Sequence, residues 1–307
     1  MGTTTEISWT DATWNPVTGC TRVSPGCDHC YIERTPPFRI EGRKFEGRGI
    51  GSSTGVQFHQ ERLTQPLKWR KPRRVFVCSL ADLFHADVPD DYIAQVFAVM
   101  AANYEWERPT HVFQVLTKRP ARMRVLLSSP GFRSMVAEHA ARMTDEAHAD
   151  RVHDNVLHHH WPLPNVWLGV TAENQEWAGK RVPHLLETPA AVRFVSVEPM
   201  LGPLKLCSCY PGGMSYGTYD GTQEDCAAHG RNALDWVICG GESGPSARPM
   251  QPQWAMGLRD QCSVACIPFH FKQWGEWVPD DAVAMTRVGK RKAGRELDGR
   301  TWDEYPE

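Results

Sequence analysis

Gly19-Cys20-Thr21-Arg22-Val23-Ser24-Pro25-Gly26-Cys27-Asp28-His29-Cys30-Tyr31 is the stretch around which the chain is organised. Three cysteines stand with six and then two residues between them. Gly19, Pro25 and Gly26 break helix and strand periodicity, so the stretch reads as a loop. A loop with three thiolates can wrap one face of a metal centre. A closed structural zinc site takes four ligands. Two readings follow: a cubane iron–sulfur cluster with one iron open to a small molecule, or a zinc loop completed by His29 or a distant residue.

The chain has 307 residues, room for one large α/β domain or two smaller ones. A hydrophobic content of 41% and a charged content of 23% are those of an ordinary globular protein. The net charge of −2 excludes a polycation made for nucleic acid and leaves that role to a local patch. No apolar run approaches the ~20 residues of a membrane span. Met1 to Trp9 is short and polar, unlike a signal peptide. Ten cysteines in such a chain imply metal ligands and buried thiols in a reducing cytoplasm, not disulfides. Twelve tryptophans read as core and loop packing.

Outward from the cysteine loop, short β-branched apolar runs recur, each ending in a polar cluster. Arg74–Cys78 leads into Ser79–His85, His111–Leu116 into Thr117-Lys118-Arg119-Pro120, and Val166–Val170 into Thr171-Ala172-Glu173-Asn174. Val192–Val197 leads into Glu198-Pro199, Trp236–Cys239 into Gly240-Gly241-Glu242, and Pro268–Phe271 into Lys272-Gln273. Runs apolar on both faces suit parallel strands buried between helices. Amphipathic helices fit between them: one after Asp90 with Ile93, Val96, Phe97 and Met100 inward; one after Pro120 with Met123 and Leu126; one over Gln175 to Leu186; and one over Gln253 to Cys266 with Trp254, Leu258 and Cys262 on one face. The expected fold is α/β, a parallel sheet of about six βα units curled into a partial (β/α)6 barrel. In such sheets ligands collect at the carboxyl ends of the strands, here marked by Asp82, Lys118, Glu173, Glu198, Glu242 and Lys272.

Three regions interrupt the pattern. Residues 34–73 are rich in Gly, Arg and Pro and end in Lys68-Trp69-Arg70-Lys71-Pro72-Arg73-Arg74, a basic run with an embedded Trp that could meet phosphates. Residues 128–160 read as a polar helical excursion ending in His158-His159-His160. Residues 205–233 are a Cys-rich insertion in which Cys207, Cys209, Cys226 and His229 make a zinc set, with free thiols as the plainer alternative. Cys78, Cys239, Cys262 and Cys266 lie in apolar contexts and read as core residues.

The cysteine loop followed by about six βα units resembles the radical S-adenosylmethionine superfamily. More closely, Ile7-Ser8-Trp9-Thr10-Asp11-Ala12-Thr13-Trp14-Asn15-Pro16 running into the three-cysteine loop resembles a phage-associated three-cysteine family of poorly defined function. Ser79–His85, Leu116–Pro120, Leu168–Asn174, Ser196–Pro203, Gly240–Met250, Phe271–Trp277, Gly289–Arg295 and Leu297–Arg300 carry the same likeness. The match covers nearly the whole chain, residues 128–160 and the insertion excepted, as a single domain over 1–307.

The resemblance implies a four-iron four-sulfur cluster on Cys20, Cys27 and Cys30, with the open iron chelating S-adenosylmethionine. Reductive cleavage would then give a 5′-deoxyadenosyl radical that takes hydrogen from a substrate. Two features depart from the usual superfamily pattern: the six-residue first gap, and His29 where an aromatic is usual. The superfamily's Gly-Gly-Glu ends the second strand and binds the methionine amino group; Gly240-Gly241-Glu242 comes late, so Ser79 or Asp82 would take that role. By charge, Lys118 or Arg119 suits the methionine carboxylate, and Glu173, Asn174 or Glu198 the ribose hydroxyls. Glu242, Lys272 and Asp82 are the catalytic candidates. The implied substrate is a nucleotide or nucleic-acid base, and the family's habit of occurring beside a partner protein implies a heteromeric complex. Two competing readings are a zinc-stapled, non-catalytic nucleotide- or partner-binding protein, and a hydrolytic or transferase barrel with a structural cysteine loop.

Overall fold

The computed structural model describes residues 5–105, 110–206, 234–280 and 284–307. Its strands are β1 (Ala12–Trp14), β2 (Val17–Thr18), β3 (Gln57–Phe58), β4 (Arg74–Val77), β5 (Val112–Thr117), β6 (Val166–Thr171), β7 (Val192–Val197), β8 (Trp236–Gly240), β9 (Phe269–Gln273), β10 (Trp277–Pro279) and β11 (Met285–Arg287). Seven of them form one sheet in the order β1-β4-β5-β6-β7-β8-β9. Ala12 pairs with Val75, Val75 with Phe113, Phe194 with Trp236 and Val237 with Phe269, all in parallel. From β4 onward each strand lies beside its predecessor in the chain. A doubly wound sheet reverses its order at a switch point. This one never does, so it has the singly wound order of a partial (β/α) barrel, and the α/β expectation holds. β6 and β8 are buried at every position, which is why their sequences are apolar without alternation.

All six apolar runs become strands. The seventh, β1, is only three residues long and was passed over by pattern reading. Its Ala12 and Trp14 are fully buried on either side of half-buried Thr13. β2 pairs antiparallel with β3, and β10 with β11.

The chain divides into two compact units. The first comprises Met1–Arg22, Ile32–Gly169 and Thr188–Val192. Its core joins Trp14, Val75, Val77, Phe113 and Val115 from the strands to Ile93, Val96, Phe97 and Met100 from the helix Asp90–Glu105. The 93, 96, 97, 100 spacing places those four on one helix face. Helix Pro120–Leu127 buries Met123 and Leu126. Region 128–160 is helical, as Pro130–Arg142 and Glu146–Asp154, but it is polar on one side only. Phe132, Val136, Ala137 and Ala140 form a buried stripe, and the Phe132 ring meets Phe97 edge-on with centroids 5.8 Å apart.

The second unit comprises Val23–Tyr31, Val170–Glu187 and Arg193–Glu307. Helix Gln175–Leu186 begins where Asn174 accepts the Trp177 N–H at 3.2 Å, and buries Ala178, Val182 and Leu185. Helix Pro252–Val264 buries Leu258 and Cys262, while Trp254 is half-buried. It ends two residues before Cys266. There the backbone turns left-handed (φ 51°) and the helix face ends; Cys266 is exposed, which corrects its reading as a core residue, and it is disulfide-bonded, which corrects the expectation of a chain without disulfides. Cys78, Cys239 and Cys262 are buried free thiols as expected. Burial pushes the Cys78 thiol up to about 12. Cys207, Cys209, Cys226 and His229 lie outside the described residues. No described helix is long and apolar enough to cross a membrane.

Candidate functional site

In the first unit the polar residues gather around Cys20. Asp82 follows β4 and is 5% exposed. Its carboxylate accepts from the Phe84 N–H (3.0 Å), the Thr117 hydroxyl (2.7 Å), the Lys118 N–H (3.0 Å) and Arg119 Nη1 (2.9 Å). Burial opposes ionisation of Asp82, but Arg119, the Lys118 N–H and the Thr117 hydroxyl outweigh it and hold the carboxyl below its usual range. Arg119 Nη1 also reaches Cys20 Sγ at 3.8 Å, and its Nη2 donates to the Thr21 carbonyl at 3.0 Å. A guanidinium placed this way favours negative charge on the sulfur.

The backbone of the same segment is pinned from the other side. The Cys20 N–H donates to Thr54 Oγ1 (3.0 Å), and the Thr54 N–H returns to the Cys20 carbonyl (3.0 Å). His85, 4% exposed, takes the Asp87 N–H on Nδ1 (3.1 Å), so Nε2 carries the proton and donates to Thr21 Oγ1 at 2.8 Å. Thr21 in turn donates to Ser53 Oγ at 2.9 Å. Burial, with Arg119 beside it, keeps the His85 pKa low, which suits this neutral tautomer.

In the second unit two strand-end carboxylates hold the Ser24–His29 segment. Glu173, fully buried after β6, accepts the Ser24 hydroxyl at 2.5 Å and Arg181 Nη1 at 2.9 Å. Gly26 packs directly on this carboxylate. A Cβ there would stand 2.4 Å from Glu173 Oε1, so only glycine lets the loop approach so closely. Glu242 follows β8 and is clamped by Arg248: Nη2 reaches Oε1 at 2.7 Å, while Nε (2.9 Å) and the Arg248 N–H (2.8 Å) reach Oε2. His29 Nδ1 donates to the same Oε2 at 3.0 Å. Arg248 Nη2 continues to the Pro25 carbonyl at 2.9 Å, and Nη1 lies 3.6 Å from Asp28. Burial opposes ionisation of Glu242, but its bonds to Arg248 and His29 outweigh it and keep the carboxyl below its usual range. These contacts span the residues either side of Cys27.

A third pair has no part in holding the loop. Glu198 Oε1, at the end of β7, meets Lys272 Nζ of β9 at 2.9 Å, and Ser196 donates to Oε2 at 3.2 Å. The side chains are 13% and 22% exposed. The β8–β9 register slips between Cys239 and Gly240, so Gly240 pairs with Gln273 and Lys272 is the bulged residue. Gly240 leaves room for Glu198, since a Cβ there would lie 2.8 Å from Oε1. A Cβ on Gly241 would lie 1.9 Å from the Trp274 carbonyl oxygen. Close approach of the Glu198 side chain to Gly240 and of the Trp274 backbone to Gly241 therefore accounts for both glycines of Gly240-Gly241-Glu242.

The strand-end residues singled out from sequence thus divide by task. Asp82, Arg119, Glu173 and Glu242 hold the cysteine loop and its neighbours. Asn174 caps a helix. Ser79 donates to Asn15 at 3.2 Å. Lys118 is half-buried, and its ammonium has no ion-pair partner among the described residues. Arg248, His85, Thr54 and Arg181 were missed. The signal for Arg248 was a buried glutamate in a glycine turn, which needs a cation nearby. The basic run Lys68–Arg74 enters β4 at its amino end, so the four-residue strand, ~13 Å long, separates it from Asp82. Its Trp69 packs edge-on against His111 (5.5 Å) under Arg73 (5.2 Å). His158 and His159 are exposed and pair with Asp154.

Cys20, Cys27 and Cys30 are not in disulfides. Among the described residues no group of three or more His, Cys, Asp or Glu side chains is already drawn together as a metal site. The donor chemistry nevertheless fits an iron–sulfur centre. One loop supplies three thiols, with a guanidinium 3.8 Å from one sulfur and the Ser24 hydroxyl 3.9 Å from another. His29 donates Nδ1–H to Glu242, which orients the ring and leaves Nε2 as its one ligating nitrogen.

A family model described as a protein of unknown function (DUF5131) matches residues 4–306, and the chain belongs to that family. Comparisons with curated proteins and with solved structures give no match.

Proposed function

We propose that the chain is a radical S-adenosylmethionine enzyme that modifies a nucleotide or nucleic-acid base, in keeping with its likeness to a phage-associated family. Cys20, Cys27 and Cys30 would hold a four-iron four-sulfur cluster. The observation that carries the reading is the placement of three cysteines, none of them in a disulfide, on the loop between β1, the first strand of a singly wound parallel sheet, and β4. When bound, the cluster and S-adenosylmethionine supply radical chemistry at a substrate C–H bond. Arg119 places positive charge beside the Cys20 sulfur. Lys118 offers a cation for the methionine carboxylate. Glu198 and Lys272, unused in holding the loop, are the pair left to meet substrate.

Anaerobic reconstitution tests this. The expected protein is brown, holds about four irons per chain and releases 5′-deoxyadenosine on reduction with S-adenosylmethionine. Cys30→Ala should abolish both iron and product. A colourless, iron-free protein after anaerobic handling overturns the reading, and zinc alone would mark a metal-stapled binding module instead.

A further inference from the structure

Residues 39–55 form a strap beside the first cysteine. Arg39 lies in the last turn of the short helix Pro36–Ile40, and the chain then runs Glu41-Gly42-Arg43-Lys44-Phe45-Glu46-Gly47-Arg48-Gly49-Ile50-Gly51-Ser52-Ser53-Thr54-Gly55. Glu46 pairs antiparallel with Ser53, and Ser53 with Thr21. The Arg22 N–H donates to the Ser52 carbonyl, and the Gly51 N–H to the Arg22 carbonyl, both at 2.9 Å. The strap is therefore a hairpin laid on Cys20–Arg22, with Arg48 in its turn. Its root is fixed: Phe45 is buried under the Arg22 guanidinium (4.1 Å), and Arg43 donates to the Gly55 carbonyl (2.8 Å) and to Thr18 (3.0 Å).

The outer surface is different in kind. Arg39, Lys44 and Arg48 are exposed and have no ion-pair partner among the described residues. Ile40 and Ile50 are 84% and 67% exposed beside them. Gly42, Gly47, Gly49 and Gly51 all have φ between 67° and 91°. Apart from Ser52 near Gly47 at 3.9 Å, nothing lies within 4 Å of where a Cβ would stand on any of the four. Gly47, Gly49 and Gly51 serve the turn and Gly42 follows the helix; the Gly42 and Gly51 amides are taken by the Arg39 and Arg22 carbonyls, which leaves those of Gly47 and Gly49 as bare backbone. Four cations against Glu41 and Glu46 give the strap +2 in a chain of net −2. Positive charge, bare amides and apolar side chains together suit a phosphodiester backbone with its bases.

We propose that the Arg39–Gly55 strap binds a nucleic-acid strand and brings it to the cysteine loop. This rests on the proposed function for the purpose of binding, since it makes the substrate a polymer and not a free nucleotide. The basic run Lys68–Arg74, at the amino end of β4, plays no part in it.

The test uses the full-length, metal-free protein and a fluorescein-labelled single-stranded DNA of about 20 nucleotides. Affinity is measured between about 50 and 200 mM salt. Arg39→Ala, Lys44→Ala and Arg48→Ala together should lower the slope of log K on log salt by about 2, three contacts at ~0.7 each. Over that fourfold salt range the wild type should lose about 20-fold more affinity than the triple variant. Lys68→Ala with Lys71→Ala should leave the slope unchanged. No salt-dependent DNA binding by the wild type, an unchanged slope in the strap variant, or a fall only in the Lys68/Lys71 variant overturns the proposal. Because no metal is present, failure here leaves iron loading and 5′-deoxyadenosine release as a separate result.

Discussion

Replacing Glu242 by alanine should loosen the segment that carries Cys27. The carboxylate is 6% exposed and accepts four hydrogen bonds, three from Arg248 and one from His29. Removing one partner of a fully buried ion pair costs about 3–5 kcal/mol. Arg248 is 32% exposed, so its guanidinium recovers water and the expected loss falls to about 2–3 kcal/mol. Glu242→Gln keeps the shape and one good acceptor, and should lose roughly half as much. Denaturant titration followed by tryptophan fluorescence measures the global part. The local part is read from thiol labelling of metal-free protein, because Cys27 is 9% exposed and reacts when its segment opens. If the whole loss is local, Cys27 labelling should quicken roughly 30- to 150-fold in Glu242→Ala, at about tenfold per 1.4 kcal/mol. Arg248→Ala should give a similar effect, and the double variant much less than the sum. A Glu242→Ala protein with unchanged Cys27 labelling and a stability within about 0.5 kcal/mol of wild type would refute the clamp.

Gly26→Ala should cost about 1–3 kcal/mol, because its Cβ would enter the space of the Glu173 carboxylate; an unaltered denaturation midpoint would show that the loop does not rest there. Asp82 carries a carboxyl held below its usual range, so it adds stability above its unfolded pKa near 3.8 and loses it as pH falls through the lower folded value. Unfolding free energy between about pH 2 and 6 should therefore fall with acid in the wild type and less steeply in Asp82→Asn, and parallel profiles would remove Asp82 from this role. Alkylation of native protein at mildly alkaline pH, followed by peptide mass spectrometry, should label Cys20 and Cys30 well before Cys78, whose thiol is pushed up to about 12 and buried; early labelling of Cys78 would contradict its place in the core.

Long apolar runs made most of the sheet legible. β6 and β8 are buried on both faces, so their composition announced them. β1 was illegible because three residues carry no period, and only its pairing with β4 makes it a strand. The strand-end residues were legible as a set, but their tasks were not. Glu173 and Glu242 look from sequence like groups waiting for a ligand. In the fold each is already engaged by arginine and by the cysteine loop, through partners such as Arg181 and Arg248 that no short-range pattern links to them. Arg119 was read as a cation for a carboxylate and does meet one, that of Asp82. The basic run Lys68–Arg74 drew attention by composition alone; which end of β4 it joins is what decides its reach.

The pairing of β1 with β4 has a consequence for how the chain can vary. Ala12 meets Val75 across an excursion of about 60 residues, whereas Val75 meets Phe113 across about 40. Closure entropy grows only as the logarithm of length, about 3.7 against 3.2 kcal/mol for the two by (3/2)RT ln n. The longer path costs about 0.5 kcal/mol more. Adding ten residues to the strap would change closure by only about 0.1 kcal/mol. The turn of the strap, residues 47–51, can thus be lengthened with little cost to closing the sheet, while the clamped cysteine loop in the same excursion cannot, which makes the surface beside Cys20 the part of this fold freest to change what it binds.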